Sequence, residues 1–337
     1  GTMNDVALTN LFHPVTGLLP DTDYYYAFRA TNCAETLWTI PARPFRTTVT
    51  NQPFNQSMKI TFCGYERGSA LHDFPALIVL NPGLPGFDYA TFADPNGWDL
   101  RFFNSNRTVE LNYDIDTWNP LGDSFIWVQV PELKNPDTCI WALWGNPNAG
   151  QAPYTQNGAT WSAGYTGVWH LADDGGLGIF PDSVAFNDAG DNVGSDTTTT
   201  PGPIGEAQFF DGGSDKLLVA NESNFDFYHF MSVSLWFRVN AFDTDWQTLI
   251  AKGTVNSWEL HREFNTDNLR WFANGVLTAP VNVNDGQWHH LLANKSSVTG
   301  TELYIDGTLA AADTANLNLN ALNDNDVFIG DNPAAPG

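Results

Sequence analysis

Residues 231–239 read MSVSLWFRV, and residues 285–293 read DGQWHHLLA. Each run is rich in apolar, β-branched or aromatic residues and lies next to Asn, Asp or Gly, which is typical of a strand flanked by turns. Similar runs recur along the chain at residues 24–30, 76–80, 126–130, 139–144, 303–305 and 327–329. Almost no stretch keeps an apolar period of 3.6 residues for three turns. The sequence therefore predicts an all-β chain.

Composition limits the size and the environment of the fold. A chain of 337 residues exceeds what one hydrophobic core usually organises, so we expect two or three domains. The 38 acidic and 14 basic residues give a formal charge of -24. This charge repels nucleic acid and anionic lipid, and it suits divalent cations and an extracellular medium. Without a run of about 18 apolar residues, no membrane insertion is expected.

The C-terminal region, residues 160–337, carries an ordered series of motifs. To the two opening runs it adds GVWHLADDGG, PIGEAQFFDGGSDKLLV, TLIAKG, TELYIDGTLA and DVFIG, in that order. This series resembles the laminin-G-like jelly roll of the concanavalin A type. The resemblance implies a domain of two packed sheets. Such domains normally end in one more strand, so we expect the last strand to be missing or supplied elsewhere.

Two further regions resemble other β modules. Residues 13–48, with a Gly-Leu-x-Pro-x-Thr turn and a Tyr-rich strand, resemble the end of a fibronectin type III domain, which predicts a partial domain over residues 1–50 with a structural role. Residues 97–133 and the run CIWALWGNP resemble a bacterial all-β domain of unknown function that precedes laminin-G-like modules. This predicts a β-sandwich over residues 55–150. Together the resemblances suggest a multidomain bacterial secreted protein.

The laminin-G resemblance implies a structural calcium ion near a sheet rim. Asp182 and Asp211 are its first candidate ligands, and Asp215 is the third, because it flanks the same glycines as Asp211 in FFDGGSDKL. The alternative is that the Asp-Gly pairs form tight turns, in which Asp bonds its own backbone.

Carbohydrate binding requires exposed aromatic rings with polar side chains around them. Trp246, Trp258 and Trp271 are candidate rings, with His261 beside them, and Arg262 and Arg270 are nearby donors. The alternative is a core position, which we assign to Trp236 and Trp288 because both lie in apolar strands. Trp246, in the polar run DTDWQT, is the ring most open to either interpretation.

The strand at residues 109–118 has an acidic face formed by Glu110, Asn112, Asp114 and Asp116. Two carboxylates on one strand are also how jelly-roll glycosidases arrange their acid and nucleophile. The simplest interpretation is a solvated sheet face, with a cation or ligand contact as the second choice and catalysis last. His170, in VWHL, is predicted to be an interior histidine with satisfied hydrogen bonds. Recognised hydrolase, kinase and dehydrogenase motifs are absent, so we expect no enzyme.

These features predict a non-catalytic recognition module at the cell surface or outside the cell, stabilised by calcium, that binds carbohydrate or another surface polymer. The alternative is a structural brick of a surface layer, filament or adhesin stalk, whose partners are neighbouring copies or domains of the same protein.

Overall fold

The computed structural model describes residues 23–27, 29–31, 36–38, 43–46, 54–161, 164–172, 176–184, 187–191, 197–242, 244–254 and 257–332. Within these ranges the regular structure is strand, apart from 3-10 helices at Tyr89–Thr91, Pro153–Gln156 and Glu222–Phe225. The prediction of an all-β chain is confirmed. The described part of the chain contains no helix long and apolar enough to cross a membrane.

The strands are numbered in chain order. Those before residue 150 are β1 (Asp23–Tyr26), β2 (Arg29–Thr31), β3 (Thr36–Trp38), β4 (Arg43–Arg46), β5 (Gln56–Thr61), β6 (Leu71–Leu80), β7 (Arg101–Phe103), β8 (Glu110–Leu111), β9 (Tyr113–Thr117), β10 (Ser124–Leu133) and β11 (Cys139–Trp144). Those after it are β12 (Ile179–Phe180), β13 (Ala189–Asp191), β14 (Thr198–Pro201), β15 (Glu206–Phe209), β16 (Leu217–Val219), β17 (Phe230–Arg238), β18 (Thr248–Ala251), β19 (Trp258–Arg262), β20 (Leu269–Ala273), β21 (Val276–Ala279), β22 (Trp288–Ser296), β23 (Gly300–Ile305), β24 (Thr308–Asp313) and β25 (Val327–Ile329).

The described residues divide into two compact units. The first contains those up to His72, with Gly86–Leu111 and Val130–Ala152; the second contains Asp73–Pro85, Asn112–Gln129 and those from Pro153 onward. The domain boundaries inferred from the sequence, at 1–50, 55–150 and 160–337, remain predictions. The fibronectin-like assignment also remains a prediction. Its turn, residues 17–22, lies outside the described residues, whereas the strands β1–β4 that follow the turn are described.

The first unit contains an antiparallel sheet of order β5-β11-β7-β8. Asp99 is fully buried just before β7, where its carboxylate accepts hydrogen bonds from the backbone amides of Ala93, Gly145 and Asn146 at 3.1, 2.7 and 3.2 Å. A carboxylate that accepts several amides satisfies donors that would otherwise be buried without a partner. The side chain of Asp99 thereby ties together the loops at one end of this sheet.

The second unit contains the predicted jelly roll. An eight-stranded sheet of order β12-β13-β16-β25-β18-β19-β20-β21 and a four-stranded sheet of order β17-β22-β23-β24 enclose one hydrophobic core. Side chains of a strand alternate between the two faces. In β17 this alternation puts Met231 and Phe237 into the core and Trp236 on the outer face, where it is 44% exposed. The assignment of Trp236 to the core is therefore wrong.

Among the described residues of this unit, Lys252 and Lys295 are buried lysines, and Lys252 is the one paired with carboxylates. The Lys252 side chain, at the end of β18, has no solvent-exposed surface, and its Nζ contacts the Glu222 carboxylate, Asp226 Oδ1 at 2.8 Å and the Asn323 carbonyl at 2.7 Å. Three acceptors match the three N–H donors of an ammonium group. Lys252 therefore joins β18 to the 3-10 helix at Glu222–Phe225 and to the segment before β25.

Candidate functional site

Two exposed aromatic side chains meet where the segment before β18 lies against the turn between β19 and β20. Trp246 is 38% exposed, Phe264 is 47% exposed, and their ring centroids are 5.6 Å apart. The backbone amide of Trp246 donates to the carbonyl of Phe264 at 3.2 Å. Both residues have positive φ angles, 63° and 47°. Such angles are uncommon for bulky residues, and residues held in them cluster at functional sites.

Arg270 and His261 lie against the Trp246 ring. They are direct cross-strand partners on β20 and β19. The guanidinium carbon of Arg270 is 5.3 Å from the centroid of the Trp246 ring, and the His261 ring centroid is 5.4 Å from it. We call Trp246, His261, Phe264 and Arg270 the Trp246 corner. It combines aromatic surface with a cation and an imidazole.

The imidazole of His261 is neutral at physiological pH. Burial lowers its pKa to about 4, assisted by the charge of Arg270 and opposed by the hydrogen bond to the Arg262 carbonyl. Nδ1 lies 2.8 Å from that carbonyl oxygen, so Nδ1 carries the proton and Nε2 is an acceptor. Nε2 has no hydrogen-bond partner in the described structure. His261 thus adds an unused acceptor beneath the Trp246 ring.

Arg262, predicted to be a ligand donor, instead holds the two loops of the corner. It is buried, and its Nε and Nη1 donate to the carbonyls of Thr266 and Thr244 at 2.6 and 2.7 Å. The guanidinium carbon also lies 4.8 Å from the centroid of the Phe242 ring. These contacts fix the turn that carries Phe264 and the segment that carries Trp246.

Trp258 and Trp271 belong to the core. They are 2% and 0% exposed, and both pack in the hydrophobic cluster between the sheets. The expectation that these rings are presented at the surface is wrong, because each occupies an inward position of its strand. Trp258 Nε1 donates to the Phe225 carbonyl at 3.1 Å. Of the three candidate tryptophans, Trp246 alone is exposed to solvent.

The carboxylate of Asp182 is occupied by backbone amides. Oδ1 accepts from Val168 and Val184 at 2.8 and 3.0 Å, and Oδ2 accepts from Asn187 at 3.2 Å. These three amides donate hydrogen bonds to the carboxylate oxygens, which a bound cation would need as its ligands. Asp182 therefore acts as a loop tie in this conformation.

The carboxylates of Asp211 and Asp215 also accept hydrogen bonds from backbone amides of their own turn. Asp211 Oδ1 accepts from the amide of Gly213 at 2.7 Å, and Asp215 Oδ2 accepts from the amide of Asp211 at 2.9 Å. The described residues contain no group of three or more His, Cys, Asp or Glu side chains arranged to hold a metal. The three acids do not fit a common calcium centre in this conformation, and calcium remains a prediction.

The acidic strand β9 is covered rather than solvated. Asp114 and Asp116 clamp the imidazole of His170, with Oδ2 of Asp114 3.1 Å from Nε2 and Oδ2 of Asp116 2.9 Å from Nδ1. Trp161 Nε1 also donates to Asp114 at 3.1 Å. The interpretation of Asp114 and Asp116 as a solvated face is wrong, because the three side chains compensate one another's burial. The prediction that His170 is an interior histidine with satisfied hydrogen bonds is confirmed.

The charges in this clamp shift the pKa values of His170 and Asp114. Burial by itself lowers the pKa of His170, but the hydrogen bonds and negative charges of Asp114 and Asp116 raise it to about 9. Burial raises the pKa of Asp114, but the hydrogen bond and charge of His170 hold it below its usual value. At neutral pH the imidazole of the clamp is therefore protonated and Asp114 is ionised.

A cleft of about 400 Å³ opens beside this clamp. It is lined by Asp114, Tyr154, Trp161, Asp182 and Asp188, among others. Its acids are already engaged: Asp114 bonds His170, Asp182 accepts backbone amides, and Asp188 Oδ1 accepts from the amide of Asp182 at 2.9 Å. The cleft is therefore a weaker candidate for recognition than the Trp246 corner.

The sequence interpretation missed two members of the corner. Phe264 lies in the polar run EFNTDN, and an aromatic residue in a polar turn is the signal that singled out Trp246. Arg270 was noted only as a nearby donor, and its place against Trp246 depends on the pairing of β19 with β20. No local signal in the sequence joins His170 to Asp114 and Asp116, which lie 56 and 54 residues away.

Family comparisons agree with this architecture. Residues 211–337 match the laminin-G model described as the concanavalin A-like lectin/glucanases superfamily. The chain carries a laminin-G-like domain. Residues 96–166 match a domain of unknown function, DUF2341, which confirms the expected resemblance of the middle region. No curated protein matches the chain.

Solved structures show distant likeness. The binding domain of Paraclostridial Mosquitocidal Protein 1 and that of botulinum neurotoxin serotype G align at 13% and 17% identity, with TM-scores of 0.39 and 0.37, over 47% of this chain. The chain spans 42% of the length of each. Mouse laminin α1 domains LG4-5 align at 12% identity and TM-score 0.31, over 84% of this chain and 82% of that one. Likeness at this level carries no functional argument.

Proposed function

We propose that this chain is a non-catalytic, extracellular carbohydrate-binding module whose laminin-G-like domain recognises saccharide at the Trp246 corner. The observation that carries the proposal is the exposed Trp246 ring, held on left-handed backbone above Arg270 and His261. An aromatic face binds the apolar C–H face of a pyranose, and neighbouring polar groups fix its orientation.

The corner offers complementary groups for such a ligand. Trp246 and Phe264 provide apolar area with few rotatable bonds, so little conformational entropy is lost on binding. Arg270 is a donor, and His261 Nε2 is a buried acceptor without a hydrogen-bond partner among the described residues. Saccharide hydroxyl groups both donate and accept, which matches this pair.

The chemistry of the described acids supports binding without turnover. Asp114 and Asp116, the carboxylates that most resemble a glycosidase pair in sequence, are both bonded to His170. A general acid or nucleophile must contact its substrate, and these oxygens contact the protein instead. The proposal therefore assigns them to stability.

The test is a glycan array with the purified chain, followed by titration calorimetry of the hits. Trp246→Ala should weaken binding about 5-fold or more, since stacking on one aromatic ring is commonly worth about 1 kcal/mol or more. Trp236→Ala is the matched control, because Trp236 is a similarly exposed tryptophan on the opposite sheet, tilted against His290. Equal losses in the two variants would refute the assignment to the corner.

A structural role in a surface layer or stalk is the second candidate. Its support is the exposed aromatic residues near the outer face of the four-stranded sheet, Tyr228, Phe230 and Trp236. The same face also carries Ser232 bonded to Asn294 and Ser234 bonded to His290, and such satisfied polar groups suit a solvent-facing sheet. Concentration-dependent assembly in sedimentation velocity, without glycan binding, would favour this candidate instead.

A further inference from the structure

Arg270 is half-buried, and its guanidinium group has no hydrogen-bond acceptor among the described residues. Its Nε is buried with no hydrogen-bond partner, and the described residues place no carboxylate within ion-pair distance of its guanidinium group. Burying a donor of a charged group without an acceptor is unfavourable. Arg101 and Arg262, which are more deeply buried, both donate to backbone carbonyls. Arg270 differs from these two arginines in that its Nε has no hydrogen-bond partner among the described residues.

Two acids of this region, Glu259 and Glu263, have other hydrogen-bond partners. Glu259 shares the sheet face with Arg270, but its Oε2 accepts from Asn332 Nδ2 at 2.7 Å, and burial raises its pKa against the opposing charge of Arg270. Glu263 Oε1 accepts from Thr278 Oγ1 at 2.9 Å. Neither carboxylate is paired with the guanidinium group. The charge of Arg270 therefore acts on Glu259 without a direct ion pair between the two side chains.

Trp246 keeps this charge in place. The guanidinium carbon lies 5.3 Å from the centroid of the indole ring, within the range of a cation–π contact. A guanidinium held against an aromatic ring is pre-organised, so less entropy is lost when it pairs with a planar anion. A saccharide stacked on Trp246 would carry its ring substituents within reach of Arg270.

We infer that the Trp246 corner selects acidic saccharides, whose ring carboxylate pairs with the guanidinium group of Arg270. The inference rests on the proposed function and narrows its ligand class. A single planar fork matches the two coplanar oxygens of a carboxylate. Arg262, the other guanidinium of this region, is bonded to the Thr244 and Thr266 carbonyls, so a multiply sulfated saccharide would find no second cation there.

The experiment compares uronate-containing oligosaccharides with their carboxyl-reduced counterparts, which keep the same rings without the charge. Affinities are measured by calorimetry at physiological salt. The wild-type chain should bind the acidic member at least about 10-fold more tightly. Arg270→Gln should abolish that preference, because the loss of affinity for the acid, about 10- to 100-fold, should exceed the loss for the neutral sugar, which keeps only its hydroxyl contacts. Arg270→Lys, which keeps the charge but not the fork, should lie between them.

Arg238→Gln is the matched control. Arg238 stacks on Trp288 at 5.1 Å, in the opposite sheet, and is exposed to solvent. It should leave both affinities unchanged. Near-UV circular dichroism of each variant checks that the fold is intact.

The outcomes separate the two proposals. Trp246-dependent binding that is indifferent to carboxyl reduction, or that favours sulfated saccharides, overturns the acidic specificity and leaves the carbohydrate-binding function standing. A complete lack of saccharide binding, or binding unaffected by Trp246→Ala, overturns the function and the specificity together.

Discussion

Removing the imidazolium of His170 should change how the stability of the second unit depends on pH. The folded structure raises the pKa of His170 from 6.5 to about 9. A raised pKa means that the folded state binds the proton more tightly than the unfolded state. The resulting stabilisation is complete below pH 6.5 and is lost as the pH rises through about 9.

The size of this effect follows from the same shift. At about 1.4 kcal/mol per pKa unit, the rise corresponds to roughly 3 kcal/mol of unfolding free energy. The His170 side chain is 16% exposed and those of Asp114 and Asp116 are 13% and 4% exposed, so solvent screens the pairing little. The estimate therefore applies to a largely buried clamp.

The assay is urea unfolding of wild type and His170→Gln at pH 6 and at pH 10, followed by tryptophan fluorescence. The difference in unfolding free energy between the two proteins should shrink by about 3 kcal/mol at the higher pH. Taking the difference cancels the titration of lysines and tyrosines that both proteins share. Nitrogen-15 chemical shifts of the His170 ring should give a midpoint near pH 9.

A matched control is His289→Gln. The His289 ring lies between Asp285 and Asp306, whose side chains are about half exposed. Because water screens this pair, it should contribute much less. If His170→Gln shows the same slope as wild type between pH 6 and pH 10, or if the ring titrates near its usual value, the clamp does not stabilise the fold as argued.

Two further substitutions, each with a control, test the hydrogen bonds of Asp182 and the buried ammonium group of Lys252. Asp182→Ala removes the acceptor of three backbone amides and should lower the free energy of unfolding by about 2–3 kcal/mol, equally in calcium and in EDTA. Asp211→Ala should lower it by less than about 1 kcal/mol. A loss of stability confined to calcium-containing buffer would instead make Asp182 a calcium ligand. Lys252→Met leaves its two carboxylate partners without a cation and should cost about 2–4 kcal/mol, whereas Lys216→Met, at a partly exposed pair, should cost less than about 1 kcal/mol. Equal losses of unfolding free energy for the Lys252 and Lys216 variants in urea would contradict the conclusion that the contacts of Lys252 stabilise this unit.

Some positions that the sequence interpretation assigned wrongly carried a readable signal. In MSVSLWFRV, Trp236 is out of phase with Met231, Val233, Leu235 and Phe237. Because side chains alternate along a strand, this phase places Trp236 on the solvent face, as the structure has it. Trp271 follows the same rule in the opposite sense, since it shares its face with Leu269 and Ala273. The alternation of side chains along each strand would have assigned Trp236 to the surface and Trp271 to the core.

The sequence by itself determined the all-β class and the laminin-G-like region, because strand periodicity and turn residues are local properties of the chain. It also marked Trp246 as an aromatic residue in a polar segment. The tertiary structure decided which groups meet: Arg270 with Trp246, and His170 with Asp114 and Asp116. Those contacts depend on strand register and on packing between segments distant in sequence, and one residue of register would have turned Arg270 into the core and Trp271 out of it.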